Sequence, residues 1–154
     1  MLYNWLLATE ISEVGISWFD FYSIGHLCFG IGLFLFFSLF YTIPKKKGAT
    51  PIFSLLFVFI LTLVFLVLWE VLEHLVFLPL GWKFENRADS WQNMSTDLFL
   101  GVIGGIGTWL FAYITFEKEK NSFAYYTFGI IGFGVWISIF IILRYLTLHN
   151  SPII

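Results

Sequence analysis

Residues 51–78 read PIFSLLFVFILTLVFLVLWEVLEHLVFL, a stretch that is apolar over most of its length. No charged side chain occurs in it before Glu70. A helix needs about 20 predominantly apolar residues to cross the hydrocarbon core of a bilayer. The stretch therefore predicts a membrane-spanning helix whose ionisable residues are gathered near one end.

Three other stretches have the same character, residues 18–43, 91–116 and 123–148. Only 12% of the chain is charged and 59% is hydrophobic, whereas about a quarter of an ordinary soluble chain is charged. This composition excludes a soluble globular domain. We expect an all-α fold, a four-helix transmembrane bundle that forms one integral membrane domain over residues 1–154.

The charges outside the spans predict an orientation. The two short links, residues 44–50 and 117–122, contain Lys45, Lys46, Lys47, Lys118 and Lys120. By the positive-inside rule these links are cytoplasmic and both termini lie outside, in what we expect to be a prokaryotic cytoplasmic membrane. Residues 2–16 mix apolar and acidic side chains, which favours a short N-terminal interfacial helix over a frayed tail.

Net charge also limits the partners. A chain with a formal charge of -2 offers no basic surface for a phosphate backbone, so nucleic acid is not an expected partner. The expected partners are the lipid bilayer, a lipid or small-molecule ligand, and subunits of a membrane complex.

Polar residues within the spans mark a candidate site. Ionisable groups in a membrane are costly and usually face the bundle interior. Helical spacing places Glu70, Glu73 and His74 on one face of the second span, and the antiparallel order brings the polar residues of all four spans to one depth. The predicted ligand-binding pocket, including its rim residues Arg87 and Asp89, consists of His26, Glu70, Glu73, His74, Arg87, Asp89, Asn93, Asp97 and Arg144.

Glycines lie directly below these polar residues. The third span contains Gly101, Gly104 and Gly105, and Gly30 follows His26 by one turn. Small residues let transmembrane helices approach closely. We therefore expect tight helix packing beneath an outward-opening polar pocket.

Three kinds of chemistry fit this pocket. Imidazole and carboxylate ligands suit zinc, iron or manganese, so a divalent metal is the candidate cofactor, with His26, Glu70, Glu73, His74 and Asp97 as candidate ligands. A metal-free polar network that binds a lipid or small ligand is the second option, and a network that only fixes helix register is the third. The sequence contains neither a nucleophile elbow nor a phosphate-binding glycine loop, so no motif indicates an enzyme class.

The second and third spans resemble the VanZ-like group of small membrane proteins. The motifs are the segment WEVLE at residues 69–73, the segment RADSWQNMSTD at residues 87–97, and His26 followed by Gly30. The similarity covers about residues 20–107. It implies a site at the outer ends of the second and third spans but no defined reaction.

The sequence leaves three functions open. The leading hypothesis is binding of a lipid or envelope-precursor headgroup, with hydrolase or transferase activity left undecided. The second is an accessory or structural subunit of a larger membrane complex. The third is a membrane metalloprotein that uses the His, Glu and Asp cluster.

Overall fold

The computed structural model describes residues 5–118 and 121–150, apart from the side chains of residues 117, 118 and 150. Its main elements are α1 (Phe21–Phe37), α2 (Leu39–Lys46), α3 (Leu55–Leu72), α4 (Trp91–Tyr113) and α5 (Ser122–Asn150). A π-helical turn, Glu73–Phe77, prolongs α3, and another, Ile114–Lys118, prolongs α4. The described chain is thus helical, as the sequence predicts, with one isolated β-bridge between Leu7 and Phe19.

Four helical stretches are long and apolar enough to cross a membrane: Phe21–Lys46, Leu55–Phe77, Trp91–Phe116 and Ser122–His149. They coincide with the predicted spans to within a few residues. The first continues past Pro44 as α2, whereas the sequence predicts that this span ends at residue 43. Proline cannot donate a backbone hydrogen bond to Phe40, and the Phe40 carbonyl instead accepts from the Ile52 amide at 3.0 Å.

Helix α1 lies at the centre of the bundle, where it packs against α3, α4 and α5 and most extensively against α4. A Cβ atom added at Gly30 would lie 1.9 Å from the Gly101 carbonyl oxygen, and one added at Gly104 would lie 2.3 Å from the Leu27 carbonyl oxygen. The glycines therefore permit a backbone approach that any side chain would prevent. This contact confirms the predicted packing role of Gly30, Gly101 and Gly104.

The N-terminal segment differs from the expected interfacial helix. Of its described part, residues 5–20, only Ile11–Glu13 is helical, as a short 3₁₀ turn. The Trp18 amide donates to the Trp5 carbonyl and the Ala8 amide to the Phe19 carbonyl, and these hydrogen bonds close the rest of the segment into a loop. Its buried residues Ala8 and Val14 pack against Phe21. Long-range backbone bonds of this kind override the local preference for a helix.

Candidate functional site

A polar cavity of about 200 Å³ lies where the N-terminal loop and the 78–90 loop meet the ends of α1, α3 and α4. We call this the polar cavity. Its lining includes His26 and Tyr22 from α1, Trp69 from α3 and Asp97 from α4. Glu70 and His74 do not line it directly but lie beside its lining residues His26 and Asp89. The cavity is therefore surrounded by titratable side chains from three helices and a loop.

The first cluster at this cavity, which we call the loop-side group, consists of Glu70, His74 and Asp89. One ligand atom from each lies within 4.8 Å of the other two. His74 Nδ1 lies 2.9 Å from the Glu70 carbonyl oxygen. Because a carbonyl only accepts, this contact places a ring hydrogen on Nδ1, and in the neutral imidazole Nε2 then has the lone pair.

The free nitrogen of His74 faces the cavity residues. Nε2 is buried, has no hydrogen-bond partner among the described residues, and lies 3.9 Å from Asp89 Oδ2. Metal-bound histidines generally have one nitrogen on the metal and the other bonded to a carbonyl or carboxylate. The π turn that carries His74 is itself a backbone feature common at functional sites.

Lys83 places a positive charge in the loop-side group. Its Nζ lies 2.5 Å from Asp89 Oδ2 and 2.6 Å from Glu73 Oε2. Burial disfavours the charged ammonium, but the hydrogen bonds to Asp89 and Glu73 outweigh it and raise the pKa of Lys83. Burial raises the pKa of Asp89 although Lys83 opposes that shift. Lys83 is therefore a charged partner that two carboxylates share.

The second cluster, which we call the buried group, consists of His26, Glu70 and Asp97. Its ligand atoms also lie within 4.8 Å of one another. His26 Nδ1 lies 3.3 Å from Glu70 Oε1, and His26 Nε2 lies 3.8 Å from Asp97 Oδ2. Glu70 Oε1 and Asp97 Oδ1 are buried and without a hydrogen-bond partner among the described residues. Glu70 belongs to both groups.

Asp20 supports this end of the bundle. It accepts from the amides of Tyr22 and Ser23 as the N-cap of α1, and from the Gly15 amide and the Asn93 side chain at 2.8 and 3.2 Å. Burial raises its pKa despite these four donors. All its hydrogen bonds go to the loop, α1 and α4, so Asp20 holds the cavity walls together.

The structure brings some of the predicted site residues together and separates others. His26, Glu70, His74, Asp89 and Asp97 form the two groups, whereas Glu73 belongs to neither and binds Lys83. Asn93 is buried and donates to the Ser17 carbonyl and to Asp20.

Neither predicted arginine enters the cavity. Arg87 donates to the backbone carbonyls of Ile11, Ser12 and Val14, so it fixes the N-terminal loop. Arg144 is exposed on α5 and is not among the lining residues of the cavity.

Sequence reasoning missed Lys83 and Asp20. Asp20 had a usable signal, because an Asp immediately before an apolar run is typical of a helix N-cap. Lys83 had no comparable local signal. Its contact with Glu73 depends on the reversal of the chain through residues 78–82, where Trp82 donates to the Phe77 carbonyl.

Comparisons with known proteins do not assign a family. No family model, no curated protein and no solved structure matches the chain. The similarity to the VanZ-like group therefore stays a prediction from the motifs of residues 20–107.

Proposed function

We propose that this protein is a membrane metalloprotein that binds a divalent transition metal beside its polar cavity, through Glu70, His74 and Asp89. The observation that carries the proposal is the orientation of His74. Its Nδ1 is held by a backbone carbonyl and its buried Nε2 faces the Asp89 carboxylate without a protein partner in the described chain. A mixed imidazole and carboxylate set suits zinc, iron or manganese.

The charges around the cavity also favour a cation. Its surroundings contain more carboxylates than ammonium groups, and an uncompensated buried carboxylate is costly. Lys83 binds both Asp89 and Glu73, so it can release Asp89 to a metal and keep Glu73 as its partner. This makes Lys83 the counter-cation of Asp89 when the metal has dissociated.

Removing the imidazole of His74 tests this proposal. We expect His74→Ala to weaken metal binding by the loop-side group at least tenfold, since even outer-shell changes at metal sites lower the metal affinity 10- to 100-fold. Protein in detergent is dialysed against buffered concentrations of Zn²⁺, Fe²⁺ or Mn²⁺, passed through a desalting column and analysed for bound metal. Glu85→Gln, at an exposed position of the 78–90 loop, is the control and should bind like wild type. A wild-type protein that retains no zinc, iron or manganese would end the proposal.

A small lipid headgroup is the second candidate ligand. Trp69, Phe77 and Trp82 line one side of the cavity, and tryptophan is enriched at the level of lipid headgroups. The excess of carboxylates favours a headgroup that carries an amine over one with only a phosphate.

Native mass spectrometry tests this second candidate. We expect wild-type protein to retain phosphatidylethanolamine in preference to phosphatidylglycerol, and Glu70→Gln to reduce that preference. Glu85→Gln serves as the control, because Glu85 is exposed and lies outside the cavity lining. Identical lipid retention by wild type and Glu70→Gln would exclude headgroup binding at this site.

A further inference from the structure

The buried group includes two side chains that the proposed metal site does not use, His26 and Asp97. Asp97 is only 3% exposed and His26 only 6%, yet Asp97 Oδ1 has no hydrogen-bond partner among the described residues. Leaving a buried acceptor unsatisfied costs about 1–3 kcal/mol, and more for a charged one. A carboxylate at this depth stays ionised only beside a compensating cation and otherwise takes up a proton.

We infer that the polar cavity binds a second divalent metal ion, held by His26, Glu70 and Asp97, with Glu70 bridging the two ions. This inference rests on the proposed function, since the first ion occupies the loop-side group. Glu70 is the one residue shared by the two groups of potential ligands in the described chain. A carboxylate has two oxygens, so a single side chain can bind both ions, and paired metals in proteins lie about 3.5–4 Å apart.

The charge around the cavity is negative. Lys83 binds Asp89 and Glu73, and Asp20, Glu70 and Asp97 lie close enough to these groups to interact with them electrostatically. Arg144 interacts electrostatically with the lining residue Tyr22. With the five carboxylates and the two cations ionised and the histidines neutral, three negative charges remain, and one divalent ion does not compensate all of them.

His26 is placed to serve the second ion. Its two ring nitrogens face different carboxylates, Glu70 on the Nδ1 side and Asp97 on the Nε2 side. One of these nitrogens lies within 4.8 Å of a ligand atom from each carboxylate, so the three side chains can bind one ion between them. The alternative is a protonated His26 that pairs with both acids and leaves no place for an ion.

Counting bound ions distinguishes these alternatives. Metal-depleted protein in lipid nanodiscs is titrated with Zn²⁺ by calorimetry, and a parallel sample is titrated with Mn²⁺ and followed by electron paramagnetic resonance. We expect two Zn²⁺ per wild-type chain, and an exchange-coupled Mn²⁺ signal in place of the six lines of isolated ions. Asp97→Asn and His26→Gln should each bind one Zn²⁺ and show only the isolated Mn²⁺ signal.

The controls separate this inference from the proposed function. His149→Gln changes an exposed histidine that stacks on Tyr145, and it should still bind two ions. One Zn²⁺ in wild type, unchanged in Asp97→Asn and lost in His74→Ala, would overturn the second ion and leave the first. No bound Zn²⁺ in wild type would overturn both.

Discussion

Replacing Glu70 by glutamine is expected to abolish metal binding at both positions. The carboxylate belongs to the loop-side group and to the buried group, and the amide that replaces it has lost the negative charge and one of its two acceptor oxygens. Since outer-shell changes already cost 10- to 100-fold in affinity, loss of the shared ligand should exceed about 100-fold for each ion. Calorimetric titration of Glu70→Gln with Zn²⁺ in nanodiscs measures this.

The same substitution at an exposed position provides the control. Glu85→Gln alters a loop glutamate outside both groups and should retain the wild-type affinity. Glu70→Gln must also elute like wild type on gel filtration, so that loss of binding is not loss of folding. A folded Glu70→Gln protein that binds Zn²⁺ as tightly as wild type would show that Glu70 is not a ligand.

The largest effect on stability is expected at the contact between α1 and α4. In Gly30→Val, the new Cβ would lie 1.9 Å from the Gly101 carbonyl oxygen, well inside van der Waals contact. The two backbones must separate, which also breaks the approach at Gly104. Overpacking usually costs 1–3 kcal/mol, and here the obstacle is rigid backbone. We therefore expect a loss of more than about 3 kcal/mol in the free energy of unfolding.

Gly132→Val is the matched control for this experiment. A Cβ added at Gly132, on α5, meets no described atom within 4 Å. Its unfolding free energy should stay within about 1 kcal/mol of wild type, the range of helix propensities. Unfolding of both variants in mixed detergent micelles, followed by circular dichroism, gives the comparison. Equal stability of Gly30→Val and wild type would contradict the close packing of α1 on α4.

Local composition is enough to predict the long helices and one of the contacts between them. Apolar length predicts the four long helices, and small residues predict the contact between Gly30 and Gly101. The N-terminal loop is different, because its conformation depends on Arg87, which donates to three of its carbonyls from a distant part of the chain. The local sequence pattern therefore does not predict these hydrogen bonds.

The candidate site was also predictable only as far as local sequence patterns specify it. Depth and helical spacing were enough to select His26, Glu70, His74 and Asp97, which the structure places in two adjoining groups. Spacing could not show that Glu73 turns to Lys83, nor that Arg144 is exposed on α5. Those outcomes depend on loop geometry and on the rotation of α5, neither of which the sequence pattern specifies.

Zinc K-edge X-ray absorption of the zinc-loaded wild-type protein shows directly whether these side chains bind metal ions. We expect a first shell of nitrogen and oxygen at about 2.0–2.2 Å with outer-shell scattering from imidazole. No sulfur contribution is expected, because Cys28 belongs to neither group. A spectrum without imidazole scattering, or a sulfur shell near 2.3 Å, would contradict it.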